Sequence, residues 1–247
     1  MMDTKDIVRW WQFPAATVIN KNLPKTQVFP HIRDAKDKKL LTDAVQSIYM
    51  LADFKPENTN IPAFQSDEEL YSEVWFYYVK TKENEKSEKI YRLLSKIIPY
   101  PIVVLTEFQD EFRLYTGRSV RQSTDFLKLI RIYPSPSYSV ERAPKILENL
   151  AVSKLPRSSL KTLYDGLQSE ITQQLTAVQF GVRAETVTTY EKDRLDELSK
   201  RIETLRKKIK GERQLNRKIE MQMELKKRKD ELQSVLKKTG RGNDERK

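Results

Sequence analysis

Leu195, Leu198, Ile202, Leu205 and Ile209 follow one another at spacings of three, four, three and four, with mostly charged residues between them. Only a helix wound to about 3.5 residues per turn keeps so narrow a seam on one side, so this stretch must lie along another helix. Beyond Gly211 the phase slips. Leu225, Leu232 and Leu236 restore a heptad-like stripe, but Leu215, Ile219, Met221 and Met223 do not join it to the first. Two structures fit. Either the chain folds back between Gly211 and Arg217 into an antiparallel hairpin with an internal seam, or one helix of about 75 Å, at about 1.5 Å per residue, presents its stripe to another molecule. A glycine coinciding with the phase break favours the hairpin. Residues 189–238 are thus expected to form a basic coiled coil, and residues 239–247, TGRGNDERK, a disordered tail.

Charge is concentrated in the same region. From Lys200 to Lys247 there are 18 Lys/Arg against 8 Asp/Glu, which leaves 28 against 27 for the rest of the chain. A near-neutral head with a cationic tail points to a polyanionic neighbour, most simply nucleic acid, because each neutralised phosphate releases counterions. Long exposed helices also use Lys and Arg for solubility, so charge alone does not decide the matter.

The rest of the 247 residues narrows the chemistry. There is no cysteine and one histidine, which removes thiol nucleophiles, disulfides and most zinc sites. No run approaches the roughly 18 apolar residues of a membrane span, and MMDTKDIVRWWQFP lacks the features of a secretory signal; a cytoplasmic protein with no membrane contact is expected. Gly-rich phosphate loops and a G-x-S-x-G elbow are absent, which argues against nucleotide hydrolysis, dinucleotide binding and serine hydrolases.

Ahead of the tail, periodicity predicts an α+β head. Residues 1–33, with Trp10, Trp11, Phe13 and three prolines, read as an extended aromatic and basic arm with one short strand at Ala16–Asn20. Leu40, Leu41, Val45, Ile48 and Leu51 predict one amphipathic helix over Asp34–Ala52, capped by Asp34 or Asp37 and ended by Lys55-Pro56. SEVWFYYVKT, Ser72–Thr81, is apolar on both faces, as in a strand covered on both sides. A helix through Ile90–Ile98 follows, then PIVVLTEF and EFRLYTG as a hairpin, then a strand over Leu127–Tyr133. A helix between strands implies a parallel crossover and the hairpin adds antiparallel pairs, so the expected sheet is mixed. The head spans 34–138. A connector, 139–188, carries one helix from Ser158 to Val178 with Leu160, Leu163, Leu167, Ile171, Leu175 and Val178 in a stripe ended by Gly181.

Candidate chemistry in the head is sparse. His31 has no evident partner. Asp43, Glu73 and Lys80 invite comparison with a magnesium nuclease of the restriction type, but Tyr78 stands two positions before Lys80 where such a core needs an acid. Glu107, Asp110 and Glu111 read as solvated residues of the hairpin turn. Lys21, Lys25 and Arg33, interleaved with Trp10, Trp11 and Phe29, offer cations and rings to nucleic acid, although rings that pin the arm to the head explain them better. No catalytic, metal or cofactor site is assigned.

The segments VINKNLPK, KKLLTDAVQSIYMLADFKPENTNIP, IIPYPIVVL and IKGERQLNRKIEMQMELKKRKDEL together resemble a bacterial domain-of-unknown-function family. Its members neighbour DNA methyltransferase and helicase genes in restriction-like antiphage defence loci. The resemblance implies an accessory or assembly subunit whose partners are the methyltransferase, the helicase and the DNA backbone. Arg206, Lys207, Lys208, Lys210, Arg213, Arg217 and Lys218 are then the expected phosphate contacts. Trp10, Trp11, Leu195, Leu198, Ile202, Leu205, Ile209, Leu225 and Leu232 are the expected partner interface, with self-association through the coiled coil as an option. The rival readings are a metal-dependent nuclease or effector of the same locus and a purely protein-binding adaptor.

Overall fold

A computed structural model describes residues 2–123, 126–180 and 187–239 of the chain. Two compact units divide it, Met1–Ile171 and Thr172–Lys247. The helices are α1 Thr4–Trp11, α2 Lys25–Val28, α3 Ala35–Ala44, α4 Pro56–Thr59, α5 Ser87–Ile97, α6 Ala143–Asn149, α7 Leu160–Phe180, α8 Thr189–Gly211 and α9 Leu215–Thr239. The strands are β1 Val18–Asn22, β2 Val45–Phe54, β3 Phe64–Gln65, β4 Leu70–Tyr71, β5 Val74–Thr81, β6 Ile102–Phe108, β7 Glu111–Ser123, β8 Phe126–Pro134 and β9 Tyr138–Ser139.

The first unit is a mixed α+β body. Its main sheet runs β1-β2-β5-β6-β7-β8, with β9 joined to β7. Only β5 and β6 are parallel, and α5 makes the connection between them. Along β5 the alternation is strict: Val74, Phe76 and Tyr78 enter one core with α1, α6 and α7, while Tyr77 and Val79 enter the other with α3 and α5. Burial on both faces is what the unbroken apolar run predicts.

Two predicted elements are corrected. Residues 34–52 are not one helix: α3 stops at Ala44 and β2 begins at once. Register shifts at Val45/Ser47 and Met50/Ala52 leave Gln46 and Leu51 as extra residues. The first bulge brings Val45 and Ile48 to the same core despite their odd spacing, which imitates helical periodicity. Residues 1–33 are not an extended arm either. Asp3 caps α1 by accepting from the Lys5 amide, and Ile7 and Trp11, four residues apart, drive one face into the body. Beyond it, β1 is the edge strand of the sheet. In α7, Leu160, Leu163, Leu167 and Ile171 are core residues as expected, whereas Val178 is exposed. Gly181 and residues 240–247 lie outside the described residues.

In the second unit α8 and α9 pack together. Arg194 pairs with Glu231 and Arg201 with Glu224, so a step of seven forward on α8 matches seven backward on α9. The helices are therefore antiparallel, joined by residues 212–214. The connection does not exploit the glycine: Gly211 closes α8 with open space around its Cα. Glu212 makes the turn, its carboxylate accepting from the amides of Arg213 and Gln214 at 2.9 and 2.8 Å.

Candidate functional site

On α8 the expected seam is buried at Leu195, Leu198, Ile202 and Leu205 and half-buried at Ile209. On α9 the half-buried positions include Lys218, Met221, Leu225, Arg228, Leu232 and Val235, again at spacings of three and four. The phase break read from the apolar residues has its cause here: Lys218 and Arg228 occupy two seam positions. Both are half-buried, and the Arg228 guanidinium pairs with Glu224 and Glu231 on its own helix at 3.8 and 3.1 Å. The α8 seam leucines are buried and Leu225 and Leu232 half-buried where α8 packs on α9 within the chain.

Charge runs unevenly along the hairpin. Away from the turn it is laced with pairs: Lys192–Asp196, Arg194–Glu197, Arg194–Glu231, Arg201–Glu224 and Arg228–Glu231. At the turn, residues 206–218 contain seven cations, Arg206, Lys207, Lys208, Lys210, Arg213, Arg217 and Lys218, and one acid, Glu212. That acid is spent on backbone amides. Lys207 pairs with Glu203, while the other six have no ion-pair partner among the described residues. Six of the seven are exposed and Lys218 is half-buried. The turn is therefore a cationic cap on a neutralised stem. Beside it Leu215, Ile219 and Met223, at steps of four along α9, are 70, 45 and 69 % exposed and face away from the seam.

Other sequence candidates fall in different places. Trp11 is 1 % exposed and donates its indole N–H to the Leu150 carbonyl at 3.1 Å, so it is a core residue, while Trp10 packs half-buried on the same core. Glu73 accepts from the Trp75 indole and Lys80 lies over the Tyr78 ring, toward opposite ends of β5, so no nuclease-like cluster assembles. Glu107 is corrected from turn residue to core residue. Only 4 % exposed, it accepts from the Met2 amide at 3.0 Å and the Tyr78 hydroxyl at 2.6 Å, and Tyr78 is shifted upward by burial and by that carboxylate. No group of three or more potential metal ligands occurs among the described residues.

Two clusters escaped the sequence reading. Lys161 lies between Glu69 and Asp165, at 2.9 and 3.0 Å, and over the rings of Phe64 and Tyr71. Burial raises the Asp165 carboxyl against the opposing pull of Lys161, so this cation is consumed in holding β3, β4 and α7 together. The second is a cleft of about 820 Å³ lined by Pro30 to Arg33, Asp37, Arg92 and Ser95 to Ile97 of α5, and the ends of β7 and β8. Its cations come from three distant parts of the sequence, so no linear pattern announced it.

The family model described as a domain of unknown function, DUF4391, matches residues 12–232. The chain belongs to this family. The match takes in the body, α8 and most of α9, so the DUF4391 unit includes the cationic hairpin as well as the sheet. No curated protein and no solved structure is significantly similar to the chain. No helix among the described residues is long and apolar enough to cross a membrane.

Proposed function

We propose that this DUF4391 protein is a non-catalytic accessory or assembly subunit of a bacterial DNA-modification or antiphage defence complex, acting in the cytoplasm beside a methyltransferase or helicase. The hairpin turn contacts the DNA backbone. One observation supports this above others: seven cations stand at the turn with one intervening acid, while the rest of the hairpin, residues 189–205 and 219–239, is near charge balance with ten cations and nine acids. Concentrated at one end of the hairpin, these cations supply phosphate affinity without base readout, and a larger enzyme supplies sequence choice. A mobility shift with the full chain and random-sequence duplex DNA tests the reading. Weak binding that is indifferent to sequence and fades with salt is expected; binding insensitive to salt would remove the phosphate role.

A second reading, a protein-binding adaptor that never touches nucleic acid, is favoured by the exposed stripe Leu215, Ile219 and Met223. Flanked by cations, that stripe suits the apolar face of an acidic helix. Co-purification with an acidic chain, lost in Ile219→Glu and accompanied by no DNA shift, would select it.

A further inference from the structure

The cleft on the first unit is a second cationic site, separate from the hairpin. Arg33, Arg92, Lys96 and Lys128 line it together with His31, against a single acid, Asp37. Lys96 is paired with Asp37 at 2.9 Å and Arg92 with Glu88 at 3.2 Å; Arg33 and Lys128 have no ion-pair partner among the described residues. An anion entering the cleft meets a surplus of positive charge on concave walls, where the field is focused. Next to it lies an apolar pocket of about 370 Å³, lined by Leu23, Val28, Trp75, Leu94, Ile98 and Pro99 among others. His31 and Ile97 line both cavities, so the two lie side by side. Trp75 is half-buried and tilted against Tyr100 with ring centroids 4.9 Å apart, which fixes the aromatic wall.

We infer that the paired cavities bind a nucleoside monophosphate unit, its phosphate among Arg33, Arg92 and Lys128 and its base in the apolar pocket beside Trp75. A simple anion would have no use for the apolar half, and an apolar ligand none for the cations. Both volumes fall in or near the range of small-ligand sites, roughly 300–1,000 Å³. A base stacked inside a duplex cannot enter such a pocket, so the ligand is a free mononucleotide or an unpaired nucleotide of a single strand.

The test uses the full chain and calorimetric titration with dAMP, inorganic phosphate, deoxyadenosine, a short single-stranded oligonucleotide and a phosphotyrosine peptide, with tryptophan fluorescence as a second readout. Saturable dAMP binding that quenches fluorescence is expected, at least about tenfold tighter than either half-ligand. The quench should vanish in Trp75→Phe. Arg33→Glu with Lys128→Glu should weaken dAMP about tenfold or more while the melting temperature holds, because both side chains are exposed. Tighter binding of the oligonucleotide than of dAMP identifies a strand as the source, and equal binding a free nucleotide. Preference for the phosphotyrosine peptide, unchanged affinity in the double variant, or no saturation by dAMP or oligonucleotide overturns the proposal. Charge removal at the hairpin turn should leave dAMP binding intact, so this site and the DNA-contacting reading fail separately.

Discussion

Gly117 sits where three neighbours leave no room for a side chain. A Cβ there would lie 2.5 Å from a Leu129 methyl, 2.7 Å from the Tyr91 hydroxyl and 3.0 Å from the Arg131 carbonyl. The crowding has a purpose: Ile102 and Gly117 stand opposite each other just beyond the β6–β7 register, and the Tyr164 hydroxyl bridges them. It accepts from the Gly117 amide at 2.9 Å and lies 3.1 and 3.0 Å from the carbonyls of Ile102 and Gly117. Gly117→Ala should therefore cost about 1–3 kcal/mol by overpacking. Gly211→Ala, with open space and ordinary helical geometry, should be neutral or stabilise by up to about 1 kcal/mol. Urea denaturation of the two variants checks the contrast. Burial pushes Tyr164 up to about 12 from its usual value near 10, offset in part by the Gly117 and Tyr91 hydrogen bonds; Tyr71, Tyr78 and Tyr91 are also raised by burial. The fold thus favours the neutral phenols. Their contribution is whole below pH 10 and is lost as pH rises from 10 toward 12. Tyr164→Phe should lower stability at neutral pH by about 1–3 kcal/mol, because the Gly117 amide loses its acceptor, and should flatten the alkaline decline.

At the scale of elements, legibility followed the regularity of the period. β5, the β6–β7 hairpin, β8, α5 and α7 announced themselves because their alternation or stripe is unbroken. β2 was hidden because the bulge at Gln46 puts Val45 and Ile48, three apart, in one core, and Leu51 extends the steps of three although it enters the opposite core. α1 was missed because two turns provide a single four-residue apolar repeat, Ile7 to Trp11. In α9 the charged residues at seam positions 218 and 228 masked a repeat that the backbone obeys. Since no cysteine is present, Arg201→Cys with Glu224→Cys creates the only two thiols. A short bis-maleimide should join them within one chain, leaving a cross-linked monomer on a denaturing gel. A predominance of covalent dimers would show that α9 pairs with another molecule.

Over the whole molecule, charge placement was readable and cleft formation was not. The tail's surplus of cations is a linear feature, whereas Arg33, Arg92 and Lys128 converge only when α5 is laid across the sheet beside β8. Glu107 was misread for the same reason: it lies near the end of β6 beside the turn, yet the sheet and the segment before α1 close over it. The body's exposed carboxylates, Asp67, Glu68, Glu85, Glu141 and Glu148 among them, are scattered, whereas cations gather at the hairpin turn and in the cleft, which is why a binding role is proposed ahead of catalysis. The most direct test is the slope of log K against log salt for duplex DNA. It should be compared between the full chain and a variant in which Arg206, Lys208, Arg213 and Arg217 are all glutamine. Each phosphate contact contributes about 0.9 to that slope, so the variant should lose about 3–4 of it with the fold intact. An unchanged slope would contradict the assignment of the hairpin turn as the DNA-contacting surface.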